Sequence, residues 1–271
     1  PSAKRMQHPF SKTDKGAFEG YQLVSSGYTA VWATENSRKA IWDAMKRKEV
    51  YDTTSSRLKV RVFGGWDFEP GDDQRSDYAV LGYEKGVPMG GELHGDPHAA
   101  AVREAFKSGK TAKSNTLSFL GYGENAPGDP EGKTYIGISA EVAKQRTSPT
   151  FLVAAQQDHG TPEAPGMPLQ RIQVVKGWLD AHGTAHERVV DVAGNADNGA
   201  GVDPATCEPR GEGFAALCAV WRDPDFDPRQ PAYWYTRVLE NPVCRWSQRQ
   251  CVAAGVDCGR PQTIGPGYEA C

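Results

Sequence analysis

Short segments with the pattern of β-strands, each bounded by turn-forming residues, constrain the fold of this chain most strongly. In the first of them Leu58, Val60 and Val62 occupy every second position, as in a half-buried strand. Five later segments are rich in Val, Ile and aromatic residues and end near Gly, Pro, Asn or Asp: residues 150–156, 171–178, 187–192, 215–221 and 233–239. Residues 179–184 would join two of them as a hairpin loop. Because no helices intervene, the segments predict a mostly β fold with an antiparallel, sandwich-like domain.

An amphipathic helix is predicted before these strands, over residues 36–50. Asn36 and Ser37 are residue types that favour a helix start. Apolar residues then recur at helical spacing, at Ala40, Ile41, Ala44 and Met45. Basic residues cluster at the C-terminal end, where the helix dipole favours them. Short strand-like runs precede and follow the helix, at residues 29–33 and 51–54.

Composition places the chain among globular proteins. Hydrophobic residues make up 38% and charged residues 24% of its 271 residues, which suits a packed core rather than disorder. The net charge of −3 does not favour a nucleic-acid surface, so no nucleic-acid partner is expected. No uninterrupted apolar run approaches the ~20 residues needed to span a bilayer, so no membrane span is predicted. Pro1 in place of Met indicates a removed leader or a start inside a longer protein.

All six cysteines fall in the last quarter of the chain: Cys207, Cys218, Cys244, Cys251, Cys258 and Cys271. A zinc site is disfavoured because there is no CxxC motif and no His follows His186. The even count in a Gly- and Pro-rich tail therefore predicts disulfides and a secreted or periplasmic location. Six cysteines allow fifteen connectivities, and the sequence does not choose among them. Pairing of neighbours, Cys207 with Cys218 and Cys251 with Cys258, is the working hypothesis.

Residues 94–148 are rich in Gly, Ser and Lys, and we interpret them as an insertion between two strands. At its start, His94, Asp96 and His98 are candidate metal ligands, since imidazole and carboxylate suit Zn or Mn. Gly95 and Pro97 oppose a continuous helix, so the geometry of an HExxH motif does not apply. An exposed loop is the favoured interpretation of this cluster.

The remaining candidate sites have simpler structural interpretations. Asp223, Asp225 and Asp227 alternate with prolines and Phe226, which is typical of a turn rather than of a calcium loop. Five tryptophans lie in the strand region and would either form an exposed ligand-binding row or fill the core: Trp66, Trp178, Trp221, Trp234 and Trp246. Three arginines in or beside strands would bind an anion or form structural ion pairs: Arg57, Arg61 and Arg237. The chain has no GxSxG and no GxxxxGK[ST] motif.

Eight strings, in order along the chain, resemble a known bacterial family. They are TAVWATENSR (29–38), AIWDA (40–44), VYDTT (50–54), FGGWDF (63–68), GVPMGG (86–91), RIQVVKGW (171–178), WRDPDFDP (221–228) and RVLENP (237–242). Together they resemble the C-terminal half of the domain-of-unknown-function 3604 (DUF3604) family. Members of that family resemble the PHP (polymerase and histidinol phosphatase) metal-dependent phosphoesterases.

This resemblance implies a division of the chain. Residues 1–56 would be the C-terminal end of an incomplete PHP-like α/β barrel, with the predicted helix and residues 51–54 as its last helix and strand. Residues 57–271 would form an appended β-rich, sandwich-like domain with the 94–148 insertion and the disulfide-bearing tail. The family's metal ligands would lie upstream of Pro1, and no residue of this chain matches them.

The resemblance also implies a function for a longer parent protein. It would be a secreted or periplasmic hydrolase of phosphoesters or similar anionic esters that uses a divalent metal, Zn or Mn. The expected partners are the upstream part of the same protein and a small anionic substrate. The metal is not expected to bind this chain alone, and this chain alone is not expected to be catalytic. The alternative is a non-catalytic β-sandwich that serves a cell-envelope protein as a binding or structural module.

Overall fold

The computed structural model describes residues 9–14, 16–19, 27–93, 148–162, 164–180, 182–227, 230–257 and 260. Within these ranges the protein is mostly β, and its paired strands are antiparallel. The strands are β1 (Pro9–Thr13), β2 (Gly16–Glu19), β3 (Tyr28–Val31), β4 (Val50–Thr53), β5 (Lys59–Gly65), β6 (Gly86–Pro88), β7 (Thr150–Gln156), β8 (Gly160–Thr161), β9 (Ala164–Pro165), β10 (Leu169–Leu179), β11 (Ala185–Gly194), β12 (Gly201–Val202), β13 (Pro209–Arg210), β14 (Ala216–Arg222) and β15 (Ala232–Glu240). The α-helices are α1 (Arg38–Lys46), α2 (Tyr78–Lys85) and α3 (Trp246–Ala253), and a 3-10 helix covers Asp72–Gln74.

Two antiparallel sheets form the main body, as the strand patterns predict. One sheet has the strand order β14-β7-β5-β6 and the other has the order β11-β10-β15. Every predicted strand is confirmed to within two residues at each end, and β7 has the predicted bounds. The loop at 179–184 joins β10 to β11, its antiparallel partner, as expected of a hairpin.

The core lies between the two sheets. Its buried members come from both of them: Phe151, Val153, Ala155, Leu169, Ile172, Val174 and Leu217. Leu169 and Ile172 are completely buried on β10, and Val153 is completely buried on β7. Burial of apolar surface from two facing sheets is the main stabilising contribution in such a sandwich.

A smaller apolar cluster lies beneath α2, on the other face of the first sheet. Phe63, Phe68 and Leu152 form its buried part. Gly82 of α2 lies directly on the ring of Phe63, where an added Cβ would come within 2.4 Å of a ring carbon. The absence of a side chain at Gly82 therefore lets the helix approach the sheet this closely.

Strands β3 and β4 pair with each other, and α1 connects them, which makes a small α/β unit. Ser37 caps α1, because its hydroxyl accepts a hydrogen bond from the Ala40 N–H at 3.2 Å. The predicted end of the helix at residue 50 is wrong, since α1 ends at Lys46. Lys48 adopts a left-handed backbone with φ of 62°, which turns the chain so that β4 begins at Val50.

The predicted pairing of Cys207 with Cys218 is wrong. Cys207 forms a disulfide with Cys244, with a Cα–Cα distance of 5.6 Å. Cys218 lies within β14 and is a free thiol, because the pairing of β14 with β7 holds it next to Gln74 instead. Sequence proximity did not select the pair, because Cα separation after folding decides which thiols can bond.

Cys251 of α3 is also disulfide-bonded and completely buried. The predicted partner, Cys258, lies outside the described residues. Disulfides in this part of the chain are compatible with an oxidising compartment such as the exterior of the cell. None of the described helices has the length and the apolar character that crossing a membrane requires.

Candidate functional site

The predicted metal ligands His94, Asp96 and His98 lie outside the described residues, as does nearly all of the predicted insertion at 94–148. In the part of the chain that the structure describes, no three His, Cys, Asp or Glu side chains come together as a metal-binding group. The alternating aspartates do form a turn, because the Asp225 N–H donates to the Asp223 carboxylate at 3.0 Å.

Asp223 instead belongs to a buried ion pair that the sequence did not predict. Its carboxylate lies 2.8 Å from Lys176 Nζ and accepts a hydrogen bond from the Trp234 indole at 3.1 Å. Lys176 Nζ also donates to the Asp225 carbonyl at 2.7 Å and lies 5.4 Å from the ring centre of Trp178. Both charges are satisfied by these neighbours, so the pair fixes the packing of β10 against the turn after β14.

A second polar group, which we call the Arg61 cluster, consists of Trp32, Glu49, Arg61 and Tyr83. The Arg61 guanidinium carbon lies 4.1 Å above the Trp32 ring centre, and Arg61 donates to the Tyr83 hydroxyl at 2.6 Å. The Tyr83 hydroxyl in turn donates to Glu49, whose carboxylate lies 3.6 Å from Arg61. The Trp32 indole donates to the Val60 carbonyl at 2.9 Å.

The Arg61 cluster joins the α/β unit to the first sheet. Trp32 and Glu49 come from the ends of β3 and β4, whereas Arg61 lies on β5 and Tyr83 on α2. Burial, together with the hydrogen bond to Glu49, raises the pKa of Tyr83, which keeps this hydroxyl protonated as a donor. Arg61 contacts each of the other three members, although its buried Nε has no hydrogen-bond partner among the described residues. The geometry suits a structural connection. The sequence left two roles open for Arg61, anion binding or a structural ion pair. The structure shows the ion pair, with Glu49.

Helix α1 has an apolar face that the described residues leave uncovered. Ile41, Trp42 and Met45 lie on this outer face, where 59% of Trp42 and 49% of Met45 are exposed. The opposite side of the helix buries Ala40 and Ala44. The helix is thus apolar on two sides, which is typical of a helix with packing partners on both.

A groove of about 360 Å³, which we call the edge groove, runs between β15 and the segment that begins with β6. Its lining consists of Val62, Gly64, Val87, Pro88, Met89, Gly90, Gly91, Glu92, Leu93, Phe151, Val174, Ala232, Tyr233, Trp234, Tyr235 and Thr236. Phe151 and Val174 are buried, whereas Tyr233 is 60% and Tyr235 is 44% exposed. The two tyrosine rings are parallel to within 14°, with centres 6.4 Å apart.

The tryptophans mostly fill space rather than form an exposed row. Trp221 and Trp234 stand beside Phe151, with ring centres 5.9 and 5.3 Å away, and Trp66 is buried. The exposed aromatics of β15 are the tyrosines Tyr233 and Tyr235, which belong to no motif of the sequence. The alternation in residues 232–239 was the signal that could have found them, because it turns every second side chain of β15 outward.

Fold and site together define an antiparallel β-sandwich that carries a small α/β unit, with no metal-binding group among its described residues. The chain belongs to the family described as "Protein of unknown function (DUF3604)", whose model matches residues 1–117 and 126–264. This confirms the family to which the eight strings pointed. No curated protein and no solved structure matches the chain.

Proposed function

We propose that this chain is the β-domain of a secreted or periplasmic PHP-like hydrolase, whose metal-binding barrel is formed by upstream residues of the same protein. The substrate would be a small phosphoester or similar anionic ester. The observation that carries this proposal is the uncovered apolar face of α1, formed by Ile41, Trp42 and Met45. A helix with such a face needs a further layer of structure to cover it.

The α/β unit has the features of a connecting piece. It packs Ala40 and Ala44 on one side of α1, and the Arg61 cluster fastens it to the sandwich. In this proposal, the unit that contains residues 29–54 would form the end of the barrel. The sandwich would then stand at a fixed orientation to the barrel and shape the entrance to its active site.

The metal chemistry would come from the upstream part. A divalent ion such as Zn or Mn there would lower the pKa of a bound water and polarise the ester. The residues of this chain would contribute support and shape.

Substitution of the outer face tests the proposal in two proteins. We expect Trp42→Ser with Met45→Ser to change the unfolding free energy of this chain alone by no more than about 0.5 kcal/mol, because both side chains are exposed. In the full-length parent protein the same pair would cost more than about 2 kcal/mol, because it would remove buried apolar surface. Urea unfolding followed by fluorescence measures both values.

Tyr233→Ser is the matched control, since Tyr233 is as exposed as Trp42 but lies on β15. It should have the same small effect in both proteins. The parent should also contain a divalent metal by elemental analysis and lose its hydrolysis of p-nitrophenyl phosphate on chelation. Equal effects of the α1 substitutions in both proteins would refute the docking, and a metal-free parent would refute the hydrolase.

A further inference from the structure

We propose that the edge of β15, which no other described strand covers, binds an extended peptide segment of a partner protein as an added strand, with alternate apolar side chains of the peptide in the edge groove. This inference goes beyond the hydrolase proposal and does not depend on it, because it uses only residues of the sandwich.

The backbone of β15 offers a row of unpaired groups at the groove. The Leu179 N–H donates to the Pro231 carbonyl at 3.2 Å, and β10 and β15 continue in register from there. In an antiparallel ladder every second residue bonds the neighbouring strand, so the odd-numbered residues of β15 face β10. The even-numbered residues direct their N–H and C=O groups to the opposite edge, where no described strand pairs with them: Ala232, Trp234 and Thr236.

Among the described residues, the other sheet edges are protected, whereas that of β15 is not. β11 and β14 pack against each other on the far side of the sandwich. β6 has only three residues. The hydrogen bond from the Met89 N–H to the Val62 carbonyl sets the register of β6 against β5, so that the backbone nitrogen of Pro88 lies on the edge away from β5. Proline has no N–H to offer, which is one way in which proteins block an edge. The nine residues of β15 contain no proline, so this edge can accept a strand.

The edge groove defines the side chains that the added strand would carry. A strand beside β15 would direct every second side chain inward, over Val62, Phe151 and Val174. These neighbours are apolar, so the inward side chains should be aliphatic. Glu92 is the one charged residue of the lining, which disfavours an acidic peptide. The opposite side chains would lie beside Tyr233 and Tyr235.

A second copy of this chain fits the groove less well than a peptide. If two β15 strands paired, the side chains directed into each groove would be Trp234 and Thr236 of the other copy. Trp234 is already engaged in its own sandwich, where it lies 5.3 Å from Phe151 and donates to Asp223. A separate extended segment has no such competing contacts.

The probe is an end-blocked heptapeptide of alternating valine and threonine with a C-terminal lysine amide, whose ammonium group is its single charge. In the free protein, the amides of Trp234 and Thr236 should exchange with deuterium much faster than those of Tyr233 and Tyr235. Adding the peptide should protect Trp234 and Thr236, as measured by NMR-detected exchange. The same titration gives the dissociation constant.

Two matched pairs separate strand addition from simple apolar binding. Thr236→Pro removes an outward N–H without removing a bond to β10 and should abolish binding, whereas Thr236→Val should retain it. N-methylation of the peptide amides on the edge that pairs with β15 should weaken binding about tenfold or more, whereas methylation on the other edge should not. The peptide pair keeps the test valid if Thr236→Pro does not fold.

Three results would overturn the proposal. Slow exchange of Trp234 and Thr236 in the free monomer would mean that residues of this chain already occupy the edge. A concentration-dependent dimer, seen by sedimentation and lost in Thr236→Pro, would assign the edge to a second copy. Equal binding of both methylated peptides would mean that the groove binds apolar side chains without adding a strand.

Discussion

Two contacts in this protein differ in chemistry. The contact between the two sheets is apolar, whereas the contact between the α/β unit and the first sheet is polar. Between the sheets the central residues are aliphatic and fully buried, as with Val153, Leu169 and Ile172. Between the unit and the sheet the central contacts are the ion pair and hydrogen bonds of Glu49, Arg61 and Tyr83. The first contact gains stability in proportion to the apolar area that it buries. The second depends on the geometry of its hydrogen-bonded groups.

This difference has a structural consequence. Apolar burial scales with the area removed from water and tolerates small changes of angle. Hydrogen-bonded charges in a buried setting tolerate neither loss of a partner nor a change in geometry. The sandwich therefore supplies most of the stability, while the Arg61 cluster fixes the orientation in which α1 presents its outer face.

The largest effect is expected from truncation in the sandwich core. Ile172→Ala should lower the unfolding free energy by about 2–5 kcal/mol, because it removes a completely buried side chain and leaves a cavity. Val189→Ala, on the exposed side of β11, should cost no more than about 0.5 kcal/mol. Urea unfolding measures both, and a small effect of Ile172→Ala would show that the sheets can close over the cavity.

An intermediate effect is expected at the Arg61 cluster. Glu49→Gln and Arg61→Leu should each cost about 1.5–3 kcal/mol, because each removes a charge-assisted contact from a buried group. After Arg61→Leu, Glu49 still keeps Arg47, 3.3 Å away, and the hydroxyl of Tyr83. The double variant should cost clearly less than the sum of the two, since the groups act on each other. Additive losses would contradict the comparison.

The exposed pair Lys39 and Asp43 on α1 provides the control for that cycle. Lys39 Nζ lies 2.6 Å from the Asp43 carboxylate, but 87% of the lysine side chain is in solvent. A cycle of alanine substitutions there should give a coupling of only about 0.3–0.5 kcal/mol. Burial, rather than distance alone, would then account for the stronger coupling at Arg61.

An effect smaller than that at the Arg61 cluster is expected at Asp158, which ties the start of β5 to the end of β7. Hydrogen bonds from the backbone N–H groups of Gly160 and Arg57 lower the pKa of its carboxyl group. A lowered folded-state pKa adds stability above the unfolded value of about 3.9, and that stability is lost as the pH falls through the folded value.

Asp158→Asn should therefore cost about 1 kcal/mol at pH 7, where the carboxylate is charged. The difference between the two proteins should shrink at pH values below the ordinary aspartate range. Thermal unfolding measured from pH 7 down to pH 3 follows this change. A difference that stays constant with pH would show that charge at Asp158 does not contribute.

The strands were predictable because their signals are local. The alternation at Leu58, Val60 and Val62 and the apolar run of β7 each lie within one short segment, and the hairpin after β10 needs only a turn between two strands. The cap of α1 was predictable for the same reason, since Ser37 bonds a residue three positions away. The end of α1 was not predictable, because it depends on the turn at Lys48, after which Glu49 pairs with Arg61 on another strand.

The candidate sites were predictable to a smaller extent. Glu49, Arg61 and Tyr83 are ordinary residues in their own segments, and no spacing links them. The same holds for Lys176 and Asp223, which are distant in sequence but 2.8 Å apart in space. Tyr233 and Tyr235 carried a local alternation, yet only the order of the described strands shows β15 at the edge of its sheet.

The sequence by itself determined the strands and their approximate bounds, because side-chain periodicity and turn residues act over a few positions. The DUF3604 family followed instead from the resemblance of eight strings, which the family model confirms. The tertiary structure decided the rest: the pairing of Cys207 with Cys244, the Arg61 cluster, and the face of α1 and the edge of β15 that the described residues leave uncovered. Each of these depends on which distant segments become neighbours. That choice follows from how the whole chain buries its apolar surface, and no single segment encodes it.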